Sequence, residues 1–385
     1  MRWNLSPALL IPCLLFPCLL FPFTRRLPSQ TGTPSDPSRV LVVYNSAWPD
    51  QNGNGQGDST ELANTYRYLR RVPRDRLLGV HLSTTNRKTF PGSRNVAWDR
   101  FINELVVPIR NKLNSIGKTK IDTILLCYGV PHAVNLPGTI SSPLRSIDDL
   151  LDQPFHSRLS LSTVTTNRYQ TINPYFHTNP TKSADRPRFS HSLTGLAETY
   201  MVCRLDGVNL QNAKDLIASA QYNEKYGALG QGKISGTAYI DSRHGFKTDT
   251  YLRDNYPTYP GVTSIYARYS YMMSYGKTFP IQKGIPTKWE YTGFEIGETG
   301  ATWASGGPAL SAPNALLYFG WYNYSQFLDV WHWVPGALAC DLDSNSLQNF
   351  HDPNRSRPSF LSAGLERGLT GASGVIAEPY INGHT

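Results

Sequence analysis

Three apolar runs, at residues 40–44, 77–82 and 121–128, are separated by stretches of helical periodicity near 59–71 and 96–116, and this alternation constrains the fold more than any other feature of the chain. Strands that alternate with helices pair in parallel, because each helix carries the chain back to the starting end of the sheet. The pattern returns later: residues 198–204, a helix near 212–226, strands at 236–240, 315–319 and 336–340, a helix near 360–368 and a strand at 372–377. The reading is an α/β protein, a mainly parallel sheet flanked by helices and interrupted by long loop insertions.

At 385 residues the chain exceeds the usual size of one domain. Residues 1–30 read as a signal peptide or membrane anchor: Met1-Arg2, an apolar run over 7–23, then Arg25-Arg26, with Pro12, Pro17 and Pro22 disfavouring one continuous helix. Residues 31–38 read as a linker, 39–243 as the first part of the α/β core, 244–300 as an insertion rich in Tyr, Gly and Pro, and 301–385 as the closing part. Within the first part, 135–198 is rich in Pro and Asn and holds one short helical candidate, 144–151.

The leader points to an exported protein, periplasmic, envelope-associated or secreted, whose partners would lie in the envelope or outside the cell. The net charge is +9, but only 17% of residues are charged and the basic ones are scattered, so no nucleic-acid partner is expected. The densest basic group, Arg67, Arg70, Arg71, Arg74 and Arg76, falls where the first helix ends and suits its carboxyl terminus. Cys13 and Cys18 lie in the leader; Cys127, Cys203 and Cys340 remain, an odd number, each within an apolar stretch, and read as buried free thiols.

The one complete ligand signature follows the first strand. Residues 50–61, DQNGNGQGDSTE, satisfy every fixed position of the calcium-loop pattern D-x-[DN]-x-[DN]-G-x5-E. Oxygen side chains at positions 1, 3 and 5 point inward, a glycine at 6 permits the sharp turn, and a glutamate at 12 grips with both oxygens. The expected ligands of Ca2+ are Asp50, Asn52, Asn54, the carbonyl of Gln56, Asp58 and Glu61. Gly57 stands at position 8, where a branched aliphatic is usual, and a strand rather than a helix enters the loop. Asp58 and Glu61 equally spell a D-x-x-E helix cap that needs no metal.

Seven short segments occur in one order: VVYN at 42–45, YGVP at 128–131, SIDD at 146–149, RLDG at 204–207, AYID at 238–241, WVPGA at 333–337 and GVIAEPY at 374–380. Together they resemble a family of exported bacterial proteins found in species that carry the exosortase protein-sorting system. The resemblance spans residues 39–380 and implies an envelope-associated or secreted protein; it brings no established reaction. Members of that family continue past the Glu-Pro segment into a further helix and strand, so the closing part is expected to be truncated, and the calcium-like loop looks like an insertion relative to them.

More remotely, the last third resembles caspase-like cysteine peptidases of the gingipain type, which implies a caspase-like arrangement of the sheet. In those enzymes one strand ends in Gly-His-Gly and the next in the nucleophilic cysteine; here Gly320-Trp321-Tyr322 holds no histidine, while Cys340 does end an apolar strand. The candidate bases are His332 and, more distantly, His132. A carboxylate-based hydrolase would instead draw on Asp241 and Glu378, with Asp206 and Asp343 as further members, because paired carboxyls in a cleft can divide acid and base roles. For Arg204 and Asp206 an internal salt bridge holding the corner is the expected role. The resulting expectation is a noncatalytic or degenerate caspase-like relative with a calcium loop, and the alternative is a hydrolase.

Overall fold

The computed structural model describes residues 36–375 except 84–85, 138–142, 158, 166–190, 192–197, 228–231, 233–234, 243–272, 274–275, 322–325, 344–345, 348–349 and 351–357. The apolar run 7–23, residues 244–272 of the insertion and Glu378 lie outside the described residues. Among the described residues no helix is long and apolar enough to cross a membrane.

The first half runs β1 (Val40–Asn45), α1 (Asp58–Arg70), β2 (Leu77–Val80), β3 (Thr89–Phe90), α2 (Arg94–Arg100), a π turn (Phe101–Val106), α3 (Val107–Ile116), β4 (Thr123–Cys127), β5 (Ala133–Asn135), β6 (Leu144–Ser146), α4 (Ile147–Leu151), α5 (Leu161–Thr165), β7 (Met201–Leu205) and α6 (Leu210–Tyr226). Strands β2-β1-β4-β7 form one sheet, parallel throughout. β1 is apolar at successive positions because both its faces are covered. Leu41 and Val43 pack with Phe101, Leu105, Ile109 and Leu113, whereas Val40 and Val42 pack with Leu62 of α1 and Leu210 and Ile217 of α6. The single helix expected over 96–116 contains the π turn; it sits just ahead of Pro108, which has no amide hydrogen to continue the α ladder. The helix expected over 144–151 begins only at Ile147, since Leu144–Ser146 pairs antiparallel with β5.

The second half runs β8 (Thr237–Asp241), α7 (Thr278–Gln282), β9 (Thr287–Glu290), β10 (Ala312–Gly320), β11 (Trp331–Asp341), α8 (Phe360–Glu366) and β12 (Gly371–Ser373). These strands form a second parallel sheet in the order β12-β11-β10-β8-β9. β9 comes from the segment read as an insertion and supplies an edge strand. Its core is aromatic: Tyr239, Tyr318, Trp331 and Phe360 form one cluster with Leu361 and Leu365 of α8. Pro335-Gly336 lies inside β11, and the ladder to β10 slips there, as a residue without an amide hydrogen requires.

Helix α6 belongs to both halves. Leu210, Ala213 and Ile217 pack on the first sheet. Asn212 Nδ2 donates to the Leu365 carbonyl at 3.0 Å, and the hydroxyls of Ser219 and Thr370 meet at 2.6 Å.

Candidate functional site

The loop after β1 folds around its own ligand-type side chains. Asp50 Oδ1 accepts the amides of Gly53 (2.7 Å) and Asn54 (3.2 Å), and its Oδ2 accepts that of Gly55 (2.7 Å). Gly55, at loop position 6, has φ 87°, the left-handed conformation the turn requires. Asn52 Nδ2 and Asn54 Nδ2 both donate to Glu61 Oε2, at 2.8 and 2.7 Å, so positions 3, 5 and 12 share one focus. Lys214 of α6 pairs with the other oxygen, Glu61 Oε1. Burial works to raise the Glu61 carboxyl; the donors on Lys214, Asn52 and Asn54 outweigh it and leave the group below its ordinary value.

Two details depart from the sequence reading. The cap of α1 is Gly57, without a side-chain cap bond, and Asp58 is the first helical residue; its Oδ1 accepts the Gln51 amide at 3.1 Å, so the D-x-x-E pair does not form a capping box. Gly57 replaces the usual aliphatic for a steric reason, because a Cβ there would lie 2.3 Å from the Trp48 carbonyl oxygen. Among the described residues no three His, Cys, Asp or Glu side chains group as metal ligands, so an ion in this loop has to draw on the amide oxygens of Asn52 and Asn54 and the Gln56 carbonyl. Those groups fit a hard cation that prefers oxygen; rotating the two amides turns their oxygens to the position their nitrogens now face and gives up the bonds those oxygens accept from the Asn54 amide (3.1 Å) and the Gln56 amide (3.0 Å).

In the first sheet β1 and β4 are neighbours while β2 lies on the far side of β1, so the strand order reverses between β1 and β4. The carboxyl ends at such a reversal ordinarily form a ligand crevice. Here Trp48 fills it: the indole stands edge-on to Tyr128, with ring centroids 5.8 Å apart, and a Cβ on Gly129 would come within 2.9 Å of it. Asn45 Nδ2 ties the two strand ends by donating to the Gly129 carbonyl at 3.2 Å.

Beside it lies the expected corner salt bridge, with an additional member. Arg204 donates to the carbonyls of Val130 (2.6 Å) and Pro131 (3.0 Å), to Asp148 (2.6 Å), and lies 3.6 Å from Asp206. Arg87 approaches Asp206 Oδ1 at 3.3 Å, donates to the carbonyls of Gly207 and Val208, and lies over the Tyr128 ring at 4.3 Å. Asp206 is therefore a structural counter-charge in the first sheet, remote in topology from the other carboxylates with which sequence reading grouped it.

The second sheet gathers acids at its carboxyl edge. Asp241 ends β8 opposite Glu290, which ends β9; on the other side Gly320 of β10 separates Asp241 from Asp341, which ends β11. Asp241, Glu290, Glu295, Asp341 and Asp343 are all buried. Asp241 Oδ2 accepts the Ile296 amide at 3.3 Å, and its Oδ1 has no hydrogen-bond partner among the described residues. Burial, then the charge of Glu290, with Glu295 and Asp341 adding to it, pushes the Asp241 carboxyl well above its ordinary value. Glu290 also rises through burial, opposed by hydrogen bonds from Thr292 and the Thr302 amide. Glu290 and Glu295 escaped sequence reading; the signal available for Glu290 was an acid closing a short strand, as Asp241 and Asp341 close β8 and β11.

The thiol candidates fare differently. His332 and Cys340 lie near opposite ends of β11, roughly 26 Å apart at the usual rise of a strand, so the structure does not bring them together. Burial and then Asp341 push the Cys340 thiol up to about 11, away from thiolate. His132 is buried just ahead of β5, which pairs with β3 and β6, and its amide donates to the Arg87 carbonyl, while Cys340 belongs to the second parallel sheet. All three body thiols are free. Cys127 is buried and Cys340 half-buried, but Cys203 is exposed, contrary to expectation, because β7 is an edge strand.

Comparison with protein-family models, with curated proteins and with solved structures finds no match to this chain.

Proposed function

We propose that this chain is a noncatalytic, calcium-binding α/β protein of the bacterial envelope, with the loop at residues 50–61 as its ion site. The observation that carries the reading is the convergence of loop positions 3, 5 and 12: Asn52 and Asn54 both lie within 2.8 Å of Glu61 Oε2 around the Asp50-anchored turn. The leader and the ordered segments that resemble the exosortase-associated family support the envelope setting. A caspase-like relative that has lost its dyad is consistent with the separation of His332 from Cys340 and with the Trp48 plug.

A site that leans on amide and carbonyl oxygens, without a paired second loop, suits an extracellular-type affinity, about 0.1 to 1 mM. At about 2 mM calcium the fold gains roughly 0.6 to 1.8 kcal/mol by mass action. The melting temperature is then expected to rise by about 1–5 °C. Glu61→Gln removes the charge and the two-oxygen grip and is expected to abolish most of that rise. Isothermal calorimetry with calcium on both proteins tests the site. No calcium heat from the wild type up to several millimolar, or equal binding by the variant, rejects it.

The second reading, a carboxylate-based hydrolase, rests on Asp241, whose buried Oδ1 lacks a partner among the described residues and whose carboxyl is held towards its protonated form. A carboxyl raised above its ordinary value of 3.8 supports folding fully below that pH, and the support is lost as pH rises through the folded-state value. Asp241→Asn mimics the protonated group and carries no proton to lose. The stability of the variant relative to the wild type is therefore expected to grow as pH rises above about 4. Parallel urea-melt profiles for the two proteins would show an ordinary carboxylate and remove the acid this reading needs.

A further inference from the structure

We infer that Lys214 is an internal cation that competes with calcium for Glu61, so that the loop reports calcium to helix α6; this deepens, and rests on, the calcium reading. Glu61 Oε1 is held by Lys214 and Oε2 by the two asparagine amides, so a two-oxygen grip on an ion requires Lys214 to give way. The pair is part-buried, with the Lys214 side chain 25% and that of Glu61 16% exposed.

The same contact is one end of a clamp. Helices α1 and α6 run parallel: Glu61 and Lys214 meet near their amino ends, and Arg70 and Glu224 form a two-pronged pair of 2.6 and 2.7 Å near their carboxyl ends, beside the bond from Gln221 to the Leu69 carbonyl. Calcium opens the clamp only at the end next to the loop. That end of α6 is also where Asn212 holds α8 of the second sheet. The first turns of α6 therefore link the ion site to the joint between the sheets, and the occupant of Glu61 decides how firmly that joint is held.

Lys214→Met keeps the length of the side chain and removes its charge. Calorimetry with calcium chloride is expected to show about five- to tenfold tighter binding by this variant, the scale of a partly exposed cation a few ångströms from a dication. Hydrogen exchange on the unaltered protein supplies a second readout, with amides of residues 213–217 expected to exchange faster once calcium is added. If the wild type binds calcium but Lys214→Met binds equally or more weakly, or if exchange in α6 is unchanged or slowed, the competition is wrong while the calcium site stands. If neither protein binds calcium up to several millimolar, the calcium reading itself fails and the inference falls with it. Binding by Lys214→Met alone rejects the calcium reading for the natural chain, and the inference falls with it.

Discussion

Asp206→Ala is expected to destabilise the protein by about 3–5 kcal/mol, because it removes the buried counter-charge that Arg87 and Arg204 share. The side chains of Arg87 and Arg204 are 10% and 11% exposed and that of Asp206 is fully buried, so water does not screen the loss. Arg204 keeps Asp148 and two carbonyls, and Arg87 keeps the carbonyls of Gly207 and Val208, which places the cost in the charge balance rather than in loss of every bond. Urea unfolding measures it. A double variant, Asp206→Ala with Arg87→Met, is expected to cost less than the sum of the single changes, since the second removes a charge the first has orphaned. Additive losses, or a single-variant loss under about 1 kcal/mol, would show that the corner is held by its carbonyl bonds alone.

Phe360→Ala is expected to cost a similar amount, about 3–5 kcal/mol, by emptying the centre of the second sheet's core. The ring is fully buried, with centroids 4.7 Å from Tyr318, 5.3 Å from Trp331, 6.0 Å from Phe327 and 6.3 Å from Trp333. No single neighbour can fill that space, because Trp331 and Trp333 are fixed by stacking on each other at 5.0 Å and 8°. Guanidinium unfolding gives the stability change, and the near-ultraviolet dichroism of the tryptophans is expected to weaken with it. A loss below about 1 kcal/mol, with the aromatic signal intact, would mean that the cluster collapses around the gap. Tyr318 and Trp331 lie on the two strands that end at Gly320 and Asp341, so the same change is expected to loosen the acidic edge.

The outline of the molecule was open to a reader of the sequence because strand and helix periodicities are local. The α/β class, the alternation over residues 40–128, α6 and the position-by-position match of the loop at 50–61 all follow from neighbours within a few residues of one another. The Arg204–Asp206 corner was equally legible, two residues apart on one strand end. Pairings between distant segments have no such local signature. Arg87, just ahead of β3, reaches Asp206 only because β3 pairs with β5, which follows β4, the neighbour of β7, and Lys214 reaches Glu61 only because α1 and α6 cover the same face of one sheet.

Sheet membership and register were decided by tertiary structure for the same reason. That β9 joins the second sheet, that Asp241, Glu290 and Asp341 end at one edge, and that His332 and Cys340 stand at opposite ends of one strand all depend on non-local hydrogen-bond ladders. A one-residue change of register reverses which side chains face the core, and an apolar run reads the same whichever partner it takes. What the sequence by itself determined is therefore the kind of element at each place and the chemistry available within one loop. Which charges meet, which thiol is exposed and which crevice Trp48 fills are consequences of packing, because burial and counter-charge are properties of the assembled layers rather than of any stretch of chain.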